Sequence, residues 1–73
     1  MITQIGLVAG EIWDYLEHND REAKMVDMID ALQKDRDLVL MSVGWLARES
    51  HIKVEGKAPD YTVRLTNVGG KNE

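Results

Sequence analysis

The sequence predicts an α+β fold in which three helices precede a β-hairpin. Three observations support this prediction. Apolar residues recur at helical spacing between residues 5 and 49, they alternate with polar residues between residues 52 and 66, and a turn containing Pro59 divides the alternating region. Because the chain has only 73 residues, we expect one domain with a small core.

The first helix is predicted from Ile5 to Leu16, with Thr3 as a candidate N-cap. Its apolar residues form one face: Ile5, Ala9, Ile12, Trp13 and Leu16. Acidic residues fall on the opposite side of the helix: Glu11, Asp14 and Glu17. Asn19 commonly ends a helix because it tolerates the left-handed backbone conformation, so a polar connector is expected to begin there.

Two further helices are predicted before the hairpin. The second runs from about Val26 to Gln33, and a short strand is predicted before it, at Glu22 to Met25. The apolar residues of this second helix again follow the helical period: Met25, Met28, Ile29 and Leu32. The third helix is predicted from Arg36 to Glu49, with Asp35 as its N-cap.

The third helix has two faces of different composition. The face predicted to be buried comprises Leu38, Ser42, Trp45, Leu46 and Glu49, with Val39 and Val43 at its edge. The opposite face comprises Leu40, Gly44, Ala47 and Arg48. Both tryptophans are interpreted as core residues, and stacking on nucleic-acid bases is the less favoured alternative. The predicted core is Trp13, Leu16, Ile29, Leu32, Trp45, Leu46 and Val63.

The region after the third helix distinguishes between a helix-turn-helix domain and a generic three-helix bundle. Two helices joined by a short polar connector fit either a helix-turn-helix or a generic three-helix bundle. Apolar and polar residues then alternate over Ile52–Glu55 and Tyr61–Thr66, on either side of the turn Gly56–Asp60. A hairpin in this position favours a winged helix-turn-helix domain over residues 1–66. Residues 67–73 are predicted to form a flexible C-terminal tail.

Two stretches of the sequence resemble a known family. Ile5–Trp13, which ends in the letters AGEIW, and Val43–Glu49, which contains GWLARE, resemble the small prokaryotic winged helix-turn-helix domain family of uncharacterised function. The resemblance extends over nearly the whole of residues 2–66. It implies the winged helix-turn-helix fold, and no catalytic or ligand-binding residues are carried over with it.

The composition limits the classes of function. The chain has no cysteine, which excludes disulfides and thiolate chemistry and is typical of a cytoplasmic protein. No signal peptide or membrane span is predicted, because the apolar runs are short. The charge is uneven, since residues 1–35 carry three basic and eight acidic side chains and residues 36–73 carry six and five. Any contact with phosphates is therefore expected from the C-terminal half.

No pattern in the sequence indicates an enzyme. His18 and His51 are the only histidines and do not form a recognised metal-binding pair, and Asp14 with His18 is interpreted as an ion pair at a helix end. Ser42 and Ser50 lack a neighbouring histidine and aspartate, and no glycine-rich loop opens a helix. We therefore expect no catalytic residues, no metal, no cofactor and no small-molecule ligand.

Two functions are compatible with these features. The resemblance implies a nucleic-acid-binding or transcription-associated module, whose contacts with duplex DNA would come from basic residues: Arg36, Arg48, Lys53, Lys57 and Arg64. A net charge of −4 predicts that such binding is weak. The alternative is a protein-association module that forms a homodimer without binding DNA. Its interface would consist of apolar and small residues on the outer helix faces: Leu7, Gly10, Leu40, Gly44 and Ala47.

Overall fold

The computed structural model describes residues 2–66, which form three helices and three strands. The helices are α1 (Ile2–Glu17), α2 (Met25–Leu32) and α3 (Arg36–Arg48), and the strands are β1 (Glu22–Lys24), β2 (Ile52–Lys57) and β3 (Asp60–Leu65). This arrangement confirms the predicted α+β class and the winged helix-turn-helix order. The tail predicted at residues 67–73 lies outside the described residues.

Most predicted element boundaries agree with the structure to within one residue. There are two exceptions. Helix α1 begins at Ile2, so Thr3 lies inside the helix and does not cap it, and β2 extends to Lys57, two residues beyond its predicted end at Glu55. At the start of α3 the carboxylate of Asp35 accepts a hydrogen bond from the backbone N–H of Leu38 at 3.3 Å, which confirms the predicted N-cap. The backbone N–H of Glu49 donates to the Trp45 carbonyl at 3.0 Å and ends the helix.

The three strands form one antiparallel sheet in the order β1-β3-β2. In this register Val63 of β3 lies between Ala23 of β1 and Val54 of β2. The short β1 therefore joins the hairpin from the far side, although it precedes the hairpin by two helices in the sequence. Both β1 and β2 are edge strands among the described residues.

The core lies between the helices and the inner face of the sheet. Its largest fully buried apolar side chains are Ile12, Leu16, Met28, Val39 and Val63. Three of the predicted core residues are buried: Leu16, Leu46 and Val63. Three others are half-buried and pack against the core: Trp13, Ile29 and Leu32. These six residues therefore lie on the predicted sides of their elements.

The prediction that Trp45 belongs to the core is wrong. Its exposed fraction is 47%, because the buried residues of α3 follow the helical period i, i+3, i+4, i+7 and position 45 lies outside that series. The members of the series are Val39, Ser42, Val43 and Leu46. Leu40 was expected on the outer face, but it is half-buried and packs against the core.

Candidate interaction surfaces

The basic residues predicted to contact DNA are dispersed. Arg36 and Arg48 lie at opposite ends of α3, about 18 Å apart along the helix axis at 1.5 Å per residue. Lys53 and Lys57 lie on β2, and Arg64 lies on β3. All five are exposed. The structure does not gather them into one dense basic patch.

Arg64 is held by two carboxylates on the outer face of the sheet. Its Nε lies 3.0 Å from Oε1 of Glu22, and its Nη1 lies 2.9 Å from Oε1 of Glu55. The hydrogen bond to Glu22 and the charge of Glu55 raise the pKa of the guanidinium above its usual value. Because two acidic groups already neutralise it, Arg64 is a poor contact for phosphate. The other four predicted residues form no ion pair within residues 2–66.

The outer face of α3, which reads base edges in many DNA-binding domains, has Arg48 as its one basic residue after the first turn, and its other exposed residues there are apolar or small. Met41 is 41% exposed and Trp45 is 47% exposed, and Gly44 and Ala47 are exposed between and beside them. Side chains that read base edges are chiefly arginine, lysine, asparagine and glutamine. The composition of this face therefore fits contact with a protein better than contact with bases.

A groove runs between α1 and the C-terminal half of α3, and we refer to it as the α1–α3 groove. Its main part has a volume of about 420 Å³ and is lined chiefly by Gly6, Gly10, Trp13, Asp14, Trp45 and His51. An adjoining part of about 290 Å³ shares Gly6 and Trp45 and adds Ile2 and Ile5. Ile2 is 85% exposed, so the groove opens onto a further apolar surface.

The α1 side of the groove is open because it contains two glycines. Gly6 and Gly10 are one helical turn apart, and a Cβ atom added at either position would meet no other atom within 4 Å. Neither glycine is therefore required for packing inside the domain. Their effect is to expose the backbone of α1 to whatever occupies the groove.

His51 lines the groove beside Trp13. Its ring meets the ring of Trp13 edge to face, with centroids 5.2 Å apart and an interplanar angle of 73°. Its backbone is fixed on both sides, since its N–H donates to the Leu46 carbonyl and its carbonyl accepts from the N–H of Thr66. The buried Nδ1 of the imidazole has no hydrogen-bond partner among the described residues. The groove wall thus includes one buried polar atom that is not satisfied within the domain.

The structure does not bring the five predicted interface residues onto one surface. Leu7 is 65% exposed and, with Leu38, lines a small depression that is separate from the α1–α3 groove. Gly10 lines the α1–α3 groove, Gly44 and Ala47 lie on the outer face of α3, and Leu40 packs against the core. The interface proposed from the sequence stays a prediction for the exposed members of this set.

Sequence reasoning did not identify Trp45, His51 and Gly6 as members of one surface. For Trp45 a signal was available, because the spacing of the four buried residues of α3 leaves it off the buried face. For His51 no local signal exists. It follows α3 in a turn, and only the tertiary packing of α3 on α1 places it beside Trp13.

The predicted pair of Asp14 and His18 is present at the end of α1. The His18 Nδ1 lies 3.6 Å from the Asp14 carboxylate and 2.8 Å from the Asp14 carbonyl oxygen. The bond to the carbonyl and the charge of the carboxylate raise the pKa of His18. Within residues 2–66 no cluster of three or more histidine and acidic side chains could hold a metal ion. No helix in that range is long and apolar enough to cross a membrane.

Comparison with known proteins agrees with the architecture. A family model described as a winged helix-turn-helix domain (DUF2582) matches residues 1–65. No curated protein and no solved structure matches the sequence. The family match extends from the start of α1 to the end of β3, which are the first and last elements of the fold. The chain therefore belongs to this winged helix-turn-helix domain family.

Proposed function

We propose that the domain is a non-enzymatic module that binds another protein through the α1–α3 groove. The observation that supports this best is Trp45, a large apolar side chain that is 47% exposed on the helix that would otherwise read DNA. Tryptophan is enriched among the residues that contribute most to protein–protein binding, because it buries a large area with little loss of conformational entropy. Trp45 lies beside an apolar groove, and an apolar side chain of the partner protein could insert there.

The chemistry of the groove defines the partner that fits it. Trp13, Trp45 and Ile5 form apolar walls, so a bulky aliphatic or aromatic side chain is the expected anchor. Asp14 supplies a negative charge at the edge of the groove, and residues 1–35 carry an excess of five acidic side chains. The partner is therefore a protein segment that carries an apolar anchor flanked by lysine or arginine.

Selection of displayed peptides on the immobilised domain tests this function. We expect the selected peptides to share an aromatic or long aliphatic residue with a nearby basic residue. Trp45→Ala is expected to weaken their binding at least about tenfold, as for a typical interface anchor, measured by fluorescence anisotropy of a labelled peptide. Val26→Ala is the matched control, because Val26 is 51% exposed on α2 and does not line the groove. Peptides whose binding is equally insensitive to both substitutions would contradict the proposal.

Weak binding of duplex DNA is a second candidate function. It is favoured by the four basic residues that are exposed and free of ion pairs within residues 2–66: Arg36, Arg48, Lys53 and Lys57. Against it stand the net charge of −4 and the two carboxylates that hold Arg64. With only these four candidate contacts on an acidic domain, we expect contact with few DNA phosphates.

Fluorescence anisotropy with random duplex DNA over a salt series measures this second function. We expect weak affinity and a shallow dependence on salt, because four neutralised phosphates give a slope of about −3.6 in log K against log salt. Lys53→Glu would locate any binding on the hairpin. Submicromolar affinity at physiological salt with a much steeper slope would instead identify a self-sufficient DNA-binding domain and would displace protein binding as the proposed function.

A further inference from the structure

Strand β2 is an edge strand, and its pairing with β3 determines which of its N–H and carbonyl groups point away from the sheet. The N–H of Thr66 donates to the carbonyl of His51 at 3.1 Å, which fixes the alternation of hydrogen-bonded pairs between β2 and β3. In that alternation Lys53 and Glu55 point their backbone groups toward β3. Ile52 and Val54 therefore point their N–H and carbonyl groups away from the sheet. Ile52 is only 3% exposed, so an added extended strand would exchange hydrogen bonds chiefly with the backbone of Val54, which is 36% exposed.

The side chains of β2 divide between the two faces of the sheet. Val54 lies opposite the buried Val63 on the inner face, but it is 36% exposed because no strand covers its outer side. Lys53 and Glu55 lie on the outer face and are both exposed. Lys53 has no acidic partner among residues 2–66, whereas Glu55 binds Arg64 of its own chain. The edge thus presents one apolar side chain between two opposite charges.

We propose that two copies of the chain pair antiparallel along β2, with a two-fold axis at Val54, and form one six-stranded sheet. At this register Val54 lies opposite the partner's Val54, and their exposed methyl groups come into contact. Lys53 lies opposite the partner's Glu55, and Glu55 lies opposite the partner's Lys53. Both cross-strand pairs are then of opposite charge. The outward backbone N–H and carbonyl of Val54 gain hydrogen-bond partners in the partner's Val54.

Neighbouring registers are less favourable. A two-fold axis at Lys53 would place Lys53 opposite the partner's Lys53, and an axis at Glu55 would place two carboxylates opposite each other. Like charges in directly opposed positions destabilise a sheet. An axis at Gly56 is disfavoured because its φ of +98° takes the strand out of the extended conformation. Charge and backbone geometry therefore select the axis at Val54.

This dimer goes beyond the proposed partner function and uses a different surface, since β2 does not line the α1–α3 groove. A two-fold dimer of this kind would present two grooves to a partner. The two proposals can therefore fail independently.

Sedimentation equilibrium of the full chain over a concentration series tests the pairing. We expect a mass approaching twice 8.3 kDa for the wild type. Val54→Pro is expected to give the monomer mass, because proline removes an N–H that faces away from β3 and leaves the β2–β3 bonds in place. Trp45→Ala is the control and is expected to remain dimeric. A monomeric wild type at all concentrations would overturn the proposal.

Charge variants keep the test decisive if Val54→Pro does not fold. Lys53→Glu alone and Glu55→Lys alone each place like charges in opposed positions, so each is expected to dimerise about tenfold more weakly than the wild type. An equimolar mixture of the two variants restores opposite charges at both cross-strand pairs and is expected to recover dimer formation. Dimers that are unaffected by either substitution, or a mixture that shows no recovery, would assign self-association to another surface.

Discussion

Replacing Leu46 by alanine is expected to lower the free energy of unfolding by about 2–5 kcal/mol. Leu46 is only 3% exposed and belongs to the core cluster between α1 and α3. The loss combines the transfer free energy of the removed carbons with the cavity they leave. A domain of this size has a total stability of about 4–11 kcal/mol at ordinary values per residue. Urea denaturation followed by circular dichroism should therefore show a large shift of the midpoint.

The adjacent residue provides the matched control for this prediction. Trp45→Ala removes a larger side chain, but Trp45 is 47% exposed, so we expect a smaller loss of about 1 kcal/mol. An unchanged midpoint for Leu46→Ala, or an equal loss for the two variants, would contradict the orientation of α3. Both residues line the α1–α3 groove, but Leu46 is 3% exposed and Trp45 is 47% exposed, so Trp45→Ala is expected to affect binding more than stability.

Local patterns in the sequence were sufficient to predict the elements of the fold. The strand at Glu22–Lys24 and the N-cap at Asp35 depend on residues within a few positions of one another, and both predictions are confirmed. The hairpin was predictable because its alternation of apolar and polar residues reflects one buried face of a sheet. Each of these signals arises from neighbouring residues whose spacing matches a single backbone period.

Features that depend on distant residues were not predictable from such patterns. The ion pair between Arg64 and Glu22 joins residues 42 positions apart, and it exists because β1 adds to the free side of β3. The sequence alone therefore identified Arg64 as a basic residue of the hairpin but did not show that a carboxylate from β1 neutralises it. The contact between Trp13 and His51 likewise depends on how α3 packs on α1.

The errors on α3 have a different cause. Trp45 was predicted in the core because the buried face was centred on Leu38, Ser42, Trp45 and Leu46, whereas Val39 and Val43 are the residues that keep helical spacing with Leu46. Centring the buried face on those three residues would have placed Trp45 outside it and Leu40 at its border. The error therefore lay in where the buried face was centred, not in the helical period itself.

Replacing Gly56 by alanine is expected to destabilise the hairpin by about 2–3 kcal/mol. Gly56 has a φ of +98°, which disfavours residues with a side chain. A Cβ atom at this position would lie 2.6 Å from the backbone carbonyl oxygen of Asp60. Both the Cβ atom and the carbonyl oxygen are fixed by the backbone, so rotation of a side chain cannot relieve this clash. Thermal unfolding, with amide chemical shifts of residues 52–65 as a local probe, measures the effect.

Gly44 is the matched control, because it differs from Gly56 in both respects. It lies inside α3 with ordinary helical geometry, and a Cβ atom added there would meet nothing within 4 Å. Gly44→Ala is therefore expected to stabilise the domain by up to about 1 kcal/mol, since alanine has the higher helix propensity. Replacement of glycine by alanine is thus expected to change the free energy of unfolding in opposite directions at the two positions. A stabilising or neutral effect of Gly56→Ala would show that the hairpin turn adopts a different backbone conformation in solution.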